Sequence, residues 1–86
     1  MQKLERWQIE RIDAIDSKIS KLLSDRYKLV KSIGEYKMDN NLPITNLNRE
    51  KQVINNVVKE YDDNKIKKYI NNIYLNIIRI SKSIEN

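Results

Sequence analysis

Between Leu4 and Asp39 the chain has no proline, and Gly34 is its only glycine. Proline breaks a helix, and glycine weakens one by about 1 kcal/mol relative to alanine. A run this poor in both predicts one continuous helix from about Leu4 to about Asp39. At about 1.5 Å of rise per residue, such a helix is about 54 Å long. A compact globule of this size has a radius of gyration of about 12 Å, so the helix is roughly twice as long as the body it would belong to. The remainder of an 86-residue chain is too short to cover it. A second copy is the physical solution, and an intertwined homodimer is expected.

The rest of the chain reads as two shorter helices in one small domain spanning residues 1–86. Asn40 to Asn46 is a loop, with Pro43 opposing helical continuity and Thr45, Asn46 and Asn48 as possible N-caps. A second helix is expected from about Leu47 to Tyr61, with Val53, Ile54, Val57 and Val58 on one face. Asp62-Asp63-Asn64 is the next turn, and Asp63 or Asn64 is the cap. A third helix is expected from about Lys65 to Glu85. It carries Ile66, Tyr69, Ile70, Ile73, Ile77, Ile80 and Ile84, beside a second row through Tyr74, Ile78, Ser81 and Glu85. The expected fold class is all-α, a three-helix protomer in a dimeric bundle.

Composition narrows the chemistry. The chain has no histidine and no cysteine, which removes most zinc sites, disulfides and nucleophilic triads. No metal or cofactor is expected. No run approaches the roughly 20 apolar residues of a membrane span, and the first residues lack the apolar centre of a signal peptide. A cytoplasmic location is the expectation. The net charge of +5 raises the question of nucleic acid. The cations are interspersed with acids, however, and the aromatics do not interleave with a basic run, so no nucleic-acid partner is expected.

Two of those cations stand where apolar side chains belong. Ile12, Ile15, Ile19, Leu22, Val30 and Ile33 share one helical face, and Arg26 and Lys37 fall on it. A cation buried without a partner is expensive. Arg26 and Lys37 are about three turns apart, roughly 16 Å of rise; their side chains can close in to leave room for one small dianion. Taken singly, each has an ordinary explanation. Arg26 would pair with Glu50 or Glu85, and Lys37 would extend its ammonium to solvent. Glu50 would stabilise a helix N-terminus, where Arg49 opposes the dipole. Ser81 would be a routine polar residue and Glu85 a frayed end. Gly34, inside a helix, points to close approach by another backbone.

Taken together, Ile12-Asp13-Ala14-Ile15-Asp16, Leu22-Leu23-Ser24-Asp25-Arg26, Ile33-Gly34-Glu35-Tyr36-Lys37, Leu42-Pro43-Ile44, Asn48-Arg49-Glu50 and Ile80-Ser81 form an ordered pattern. It resembles the all-helical (AroQ-type) chorismate mutases over almost the whole chain. The resemblance implies a dimer threaded by the long first helix, with two active sites and chorismate as substrate. It assigns Arg26 to a substrate carboxylate and Lys37 to the ether oxygen and a carboxylate. Arg49 falls at the carboxylate end of the pocket. Glu50 accepts the ring hydroxyl, and Asn46 stands where the family often has an aspartate whose backbone helps to hold it. Ser81 is a pocket serine. Glu85 stands where many relatives have a glutamine that donates to the ether oxygen; Arg26, Lys37 and Glu85 are thus the expected catalytic groups.

One departure from the pattern is important. The arginine that reaches into the partner's site is replaced by Ile9, and Arg6, one turn earlier, is the expected substitute. Arg11 lies on a different face. The departure keeps related readings open: isochorismate pyruvate lyase, a mutase of 4-amino-4-deoxychorismate, or a non-catalytic helical dimer. Glu85 adds a pH expectation. An ionised carboxylate repels the ether oxygen and a protonated one donates to it, so activity should rise toward acidic pH and Glu85→Gln should flatten the profile.

Overall fold

The computed structural model describes residues 4–86. Met1 to Lys3, part of the segment read for a signal peptide, lie outside the described residues. The rest is all-α, as expected: α1 (Arg6–Asp39), α2 (Leu47–Val58) and α3 (Asn64–Glu85).

Each boundary has a local cause. α1 begins at Arg6 rather than Leu4 because Glu5, with extended backbone, takes the N-cap position. The Glu5 amide donates to Gln8 Oε1 at 3.0 Å. α1 ends at Asp39, but Pro43 is not what stops it. Asn41 adopts a left-handed φ of 55°. The Leu42 amide then donates to the Lys37 carbonyl at 2.8 Å, and the Asn41 amide to the Met38 carbonyl at 3.3 Å. This paired closure satisfies the last carbonyls of a helix, and asparagine tolerates the backbone it requires. The chain therefore reverses just beyond Lys37 and returns Ile44 to it.

Of the three candidate caps, Asn46 starts α2; its Oδ1 accepts from the Arg49 amide at 3.0 Å. α2 stops at Val58, short of the expected Tyr61, because the Tyr61 amide closes a tight turn onto the Val58 carbonyl at 3.2 Å. Asp63 caps α3, accepting from the Lys65 amide at 2.8 Å.

α3 packs against both other helices, whereas α1 and α2 are not packed directly on each other. A gap bridged by α3 is the result. The core around it is small: Val30 and Ile78 are its buried apolar side chains among the described residues, with Gly34 buried beside them. A Cβ on Gly34 would lie 2.8 Å from both the Cα and the carbonyl oxygen of Glu85, so the close backbone approach expected at this glycine is made by the last turn of α3. On α3, Ile78 is buried and Tyr74, Ser81 and Glu85 of its row are half-buried, as are Ile70, Ile77 and Ile84 of the other row, while Ile66, Tyr69, Ile73 and Ile80 remain exposed. The protomer is elongated, 55 × 26 × 21 Å, with a radius of gyration of 16.5 Å against the roughly 12 Å of a compact body of this length. No helix among the described residues is long and apolar enough to cross a membrane.

Candidate functional site

The gap between α1 and α2 is a cavity of about 350 Å³, to which all three helices and the intervening loop contribute. Arg26 and Lys37 come from α1, Arg49 and Glu50 from α2, Ser81, Lys82 and Glu85 from α3, and Asn46 from the cap. Seven of the sequence candidates therefore converge on one space: Arg26, Lys37, Asn46, Arg49, Glu50, Ser81 and Glu85.

Arg26 does not pair with Glu50 or Glu85. Its Nη1 donates to Ser81 Oγ, and Ser81 in turn donates to the Ile77 carbonyl at 2.8 Å. A hydroxyl has one proton to give, so committing it to Ile77 leaves its oxygen as the acceptor for arginine. Ser81 is thus more than a routine polar residue: it anchors one N–H of a five-donor group and leaves the rest for the cavity. Among the described residues, Arg26 enters no ion pair.

Lys37 does not extend to solvent. Its ammonium donates to Glu85 Oε1 at 2.7 Å and to the Ile44 carbonyl at 3.2 Å. The Glu85 side chain is only 9% exposed and Lys37 22%, so Glu85 is not a frayed end. The contact depends on Gly34, one turn before Lys37, which lets the Glu85 backbone approach α1. An ammonium has three protons; two are engaged here, and the third is available to a neighbour in the cavity.

Arg49 is turned along its own helix, donating to Gln52 Oε1 at 2.8 Å, and remains exposed at the cavity edge. Glu50 is held across the helix interface by Lys82, whose Nζ lies 3.0 Å from Glu50 Oε1. The other oxygen, Oε2, is buried without a hydrogen-bond partner. A buried unpaired acceptor is unfavourable, and a ligand hydroxyl or amine would satisfy it.

Lys82 was missed as a site residue in the sequence. The signal was present: Lys82 lies one helical turn after the buried Ile78, as Arg26 and Lys37 lie among apolar neighbours on their face. Arg6 is not brought to this cavity. It lies at the opposite end of α1, 92% exposed, and makes a 3.7 Å contact with Glu10. Twenty residues of helix separate Arg6 from Arg26, roughly 30 Å, so within one protomer Arg6 has no access to the site.

The charge balance of the cavity is specific. Four cations (Arg26, Lys37, Arg49 and Lys82) face two carboxylates (Glu50 and Glu85), leaving two positive charges. The volume lies at the lower end of the roughly 300–1,000 Å³ typical of ligand sites. A small dianion that also carries a hydrogen-bond donor matches both.

Comparison with known proteins points the same way. A 48-residue stretch, 56% of the chain, is 44% identical to the bifunctional chorismate mutase/prephenate dehydratase of Aquifex aeolicus (strain VF5), but it spans only 13% of that protein. No solved structure matches. Residues 8–86 match the family model of chorismate mutase type II. The match takes in both arms of the cavity and nearly the full chain, and the chain belongs to the chorismate mutase type II family.

Proposed function

We propose that this chain catalyses the rearrangement of chorismate to prephenate. The observation that carries the reading is the convergence of Arg26, Lys37, Arg49, Glu50, Ser81 and Glu85 on one cavity with two net positive charges. Chorismate has two carboxylates and a ring hydroxyl, which answer the charge balance and the unpartnered Glu50 oxygen.

The reaction is an internal bond shift. The ether C–O bond breaks as a C–C bond forms, with no proton transfer, covalent enzyme intermediate or co-reactant. A protein accelerates it by holding the folded conformer and stabilising charge as it develops on the ether oxygen. Arg26, anchored by Ser81, offers paired N–H donors to one carboxylate. Arg49 turns from Gln52 to the other. Glu50 accepts from the ring hydroxyl beside Asn46. The third proton of Lys37 is directed at the ether oxygen, and Glu85 holds the ammonium in place through its 2.7 Å contact.

The homodimer belongs to the same proposal. Ile12, Ile15, Ile19 and Leu22 are each about half exposed or more, so covering them recovers about 1 kcal/mol per side chain. Over two copies this approaches about 8 kcal/mol, within the roughly 4–15 kcal/mol that association costs. Trp7, Ile9, Ile73 and Ile80, also exposed, supply the surplus. In such a dimer Arg6 of one copy is the candidate cation for the site of the other. A cytoplasmic setting suits a chain without cysteine and completes the proposal.

The test follows chorismate absorbance with purified protein and identifies the product. Prephenate is expected, with Lys37→Ala slower by about 10²–10³-fold, the usual effect of removing one transition-state donor. Release of pyruvate would assign a lyase instead. No turnover, together with no binding of a bicyclic transition-state mimic, would leave a non-catalytic dimer.

A further inference from the structure

We infer that Lys82 sets the substrate specificity of the site by neutralising Glu50, so that the group bound at Glu50 is a neutral hydroxyl and not an ammonium. The inference rests on the proposed mutase reading and concerns one end of its cavity.

Four observations carry it. Lys82 lines the cavity together with Glu50. Its Nζ is 3.0 Å from Glu50 Oε1. Lys82 is on α3 and Glu50 on α2, so the pair spans two helices and is fixed by their packing rather than by a flexible local turn. Glu50 Oε2 is buried and has no partner, so a donor is required there. The nature of that donor depends on charge. A lone carboxylate attracts an ammonium more strongly than a hydroxyl. A carboxylate already paired with a lysine gives no net attraction to a second cation and still accepts a hydrogen bond from a hydroxyl. Geometry adds a penalty, because an ammonium bound to the same carboxylate approaches Lys82 to within about 6 Å, where like charges still repel at the intermediate dielectric of a half-open site. The other cations lining the cavity, Arg26, Lys37 and Arg49, add to that repulsion, and Glu85 is committed to Lys37 at 2.7 Å. Lys82 therefore acts through Glu50 as a positioning and selecting residue.

The experiment compares chorismate with 4-amino-4-deoxychorismate, whose amino group replaces the ring hydroxyl. For the wild-type protein, kcat/KM for chorismate should exceed that for the amino compound by at least about a hundredfold. Lys82→Met keeps the length of the side chain and removes its charge; it should shrink that ratio by about tenfold, after discounting the repulsion because the Lys82 side chain is 34% exposed. The shift should appear mainly in KM for the amino compound. Lys82→Arg should restore the wild-type ratio, which a merely structural role would not require. Equal use of both substrates by the wild-type protein would overturn the inference, a result that needs no variant to fold. An unchanged ratio in a folded Lys82→Met protein would also overturn it, with the mutase reading intact. If the wild-type protein turns over neither compound, the mutase reading falls and this inference falls with it.

Discussion

The two ends of α1 meet opposite surroundings. Toward its C-terminus, Val30 is 8% exposed and Gly34 lies against the backbone of Glu85, whereas toward its N-terminus Leu22 is 66% exposed and Ile12, Ile15 and Ile19 are open as well. The apolar pattern runs through both ends. What differs is the partner, since α3 reaches one end of the helix and nothing among the described residues covers the other. The covered end holds Arg26 and Lys37. The bare end holds Ile9, where the resemblance read from the sequence leads one to expect an arginine. One end is thus a site built within the protomer, and the other is an apolar surface left open among the described residues.

The comparison breaks most severely if the bare end is made hostile to a second copy. Ile15→Asp puts a carboxylate in the middle of the stripe, where burial without a partner costs several kcal/mol per protomer. Sedimentation should show a dimer for the parent protein and a monomer for the variant. Helicity should fall with it, because Val30, Ile78 and Gly34 are too small a core to hold the fold alone. A variant that stays dimeric would show that the bare stripe is not the interface.

Gly34→Ala attacks the covered end. The added methyl meets backbone rather than a flexible side chain, at 2.8 Å from both Cα and O of Glu85, so α3 must shift. The expected loss is about 1–3 kcal/mol, read as a lower midpoint in thermal or denaturant unfolding. Turnover should fall further than stability alone accounts for, because the same shift parts Lys37 from Glu85.

These two residues also show what could be read in advance. Gly34 was legible as a close approach because a glycine inside a helix demands a reason, but the sequence does not say which backbone approaches. The three helices were legible from periodicity, and Arg26 and Lys37 from cations on an apolar row, whereas Asn46, Arg49, Glu50, Ser81 and Glu85 were joined to them by the family resemblance. The end of α1 was assigned to Pro43, the more conspicuous breaker, whereas Asn41 in the left-handed region closes the helix first. The place of Lys82 one turn after Ile78 was legible, but its pairing with Glu50 depends on a packing angle between α2 and α3 that no linear spacing reveals. The partners of Arg26 and Lys37 were likewise misread for want of that packing: Ser81 and Glu85, one turn apart on α3, divide them.

A milder change sharpens the comparison at the covered end. Glu85→Gln keeps the length of the side chain, removes the charge paired with Lys37 and places an amide N–H donor in the cavity. At one fixed pH, kcat for chorismate should rise by about tenfold, the worth of roughly one hydrogen bond. An unchanged or lower kcat would mean that the side chain at this position serves only to hold Lys37.

Arg6→Ala is the smallest change and links the two ends. Within one chain Arg6 does little: its contact with Glu10 is 3.7 Å long and almost fully solvated, and pairs of that kind contribute little or nothing to stability. The unfolding midpoint should therefore not move. If Arg6 crosses the dimer to replace the cation missing at Ile9, KM for chorismate should rise by several-fold to about tenfold, and the loss should deepen at higher salt as the remaining charges are screened. Mixing settles where the effect arises. A dimer of Arg6→Ala with Lys37→Ala places both changes at one shared site and leaves the other site intact if Arg6 acts across the interface. Such a mixture should then regain about half the parental activity per mixed dimer, whereas an arginine acting within its own chain would leave each site with one defect and no such recovery. Unchanged kinetics in Arg6→Ala would show that the bare end of α1 supplies shape to the dimer and no charge to the site.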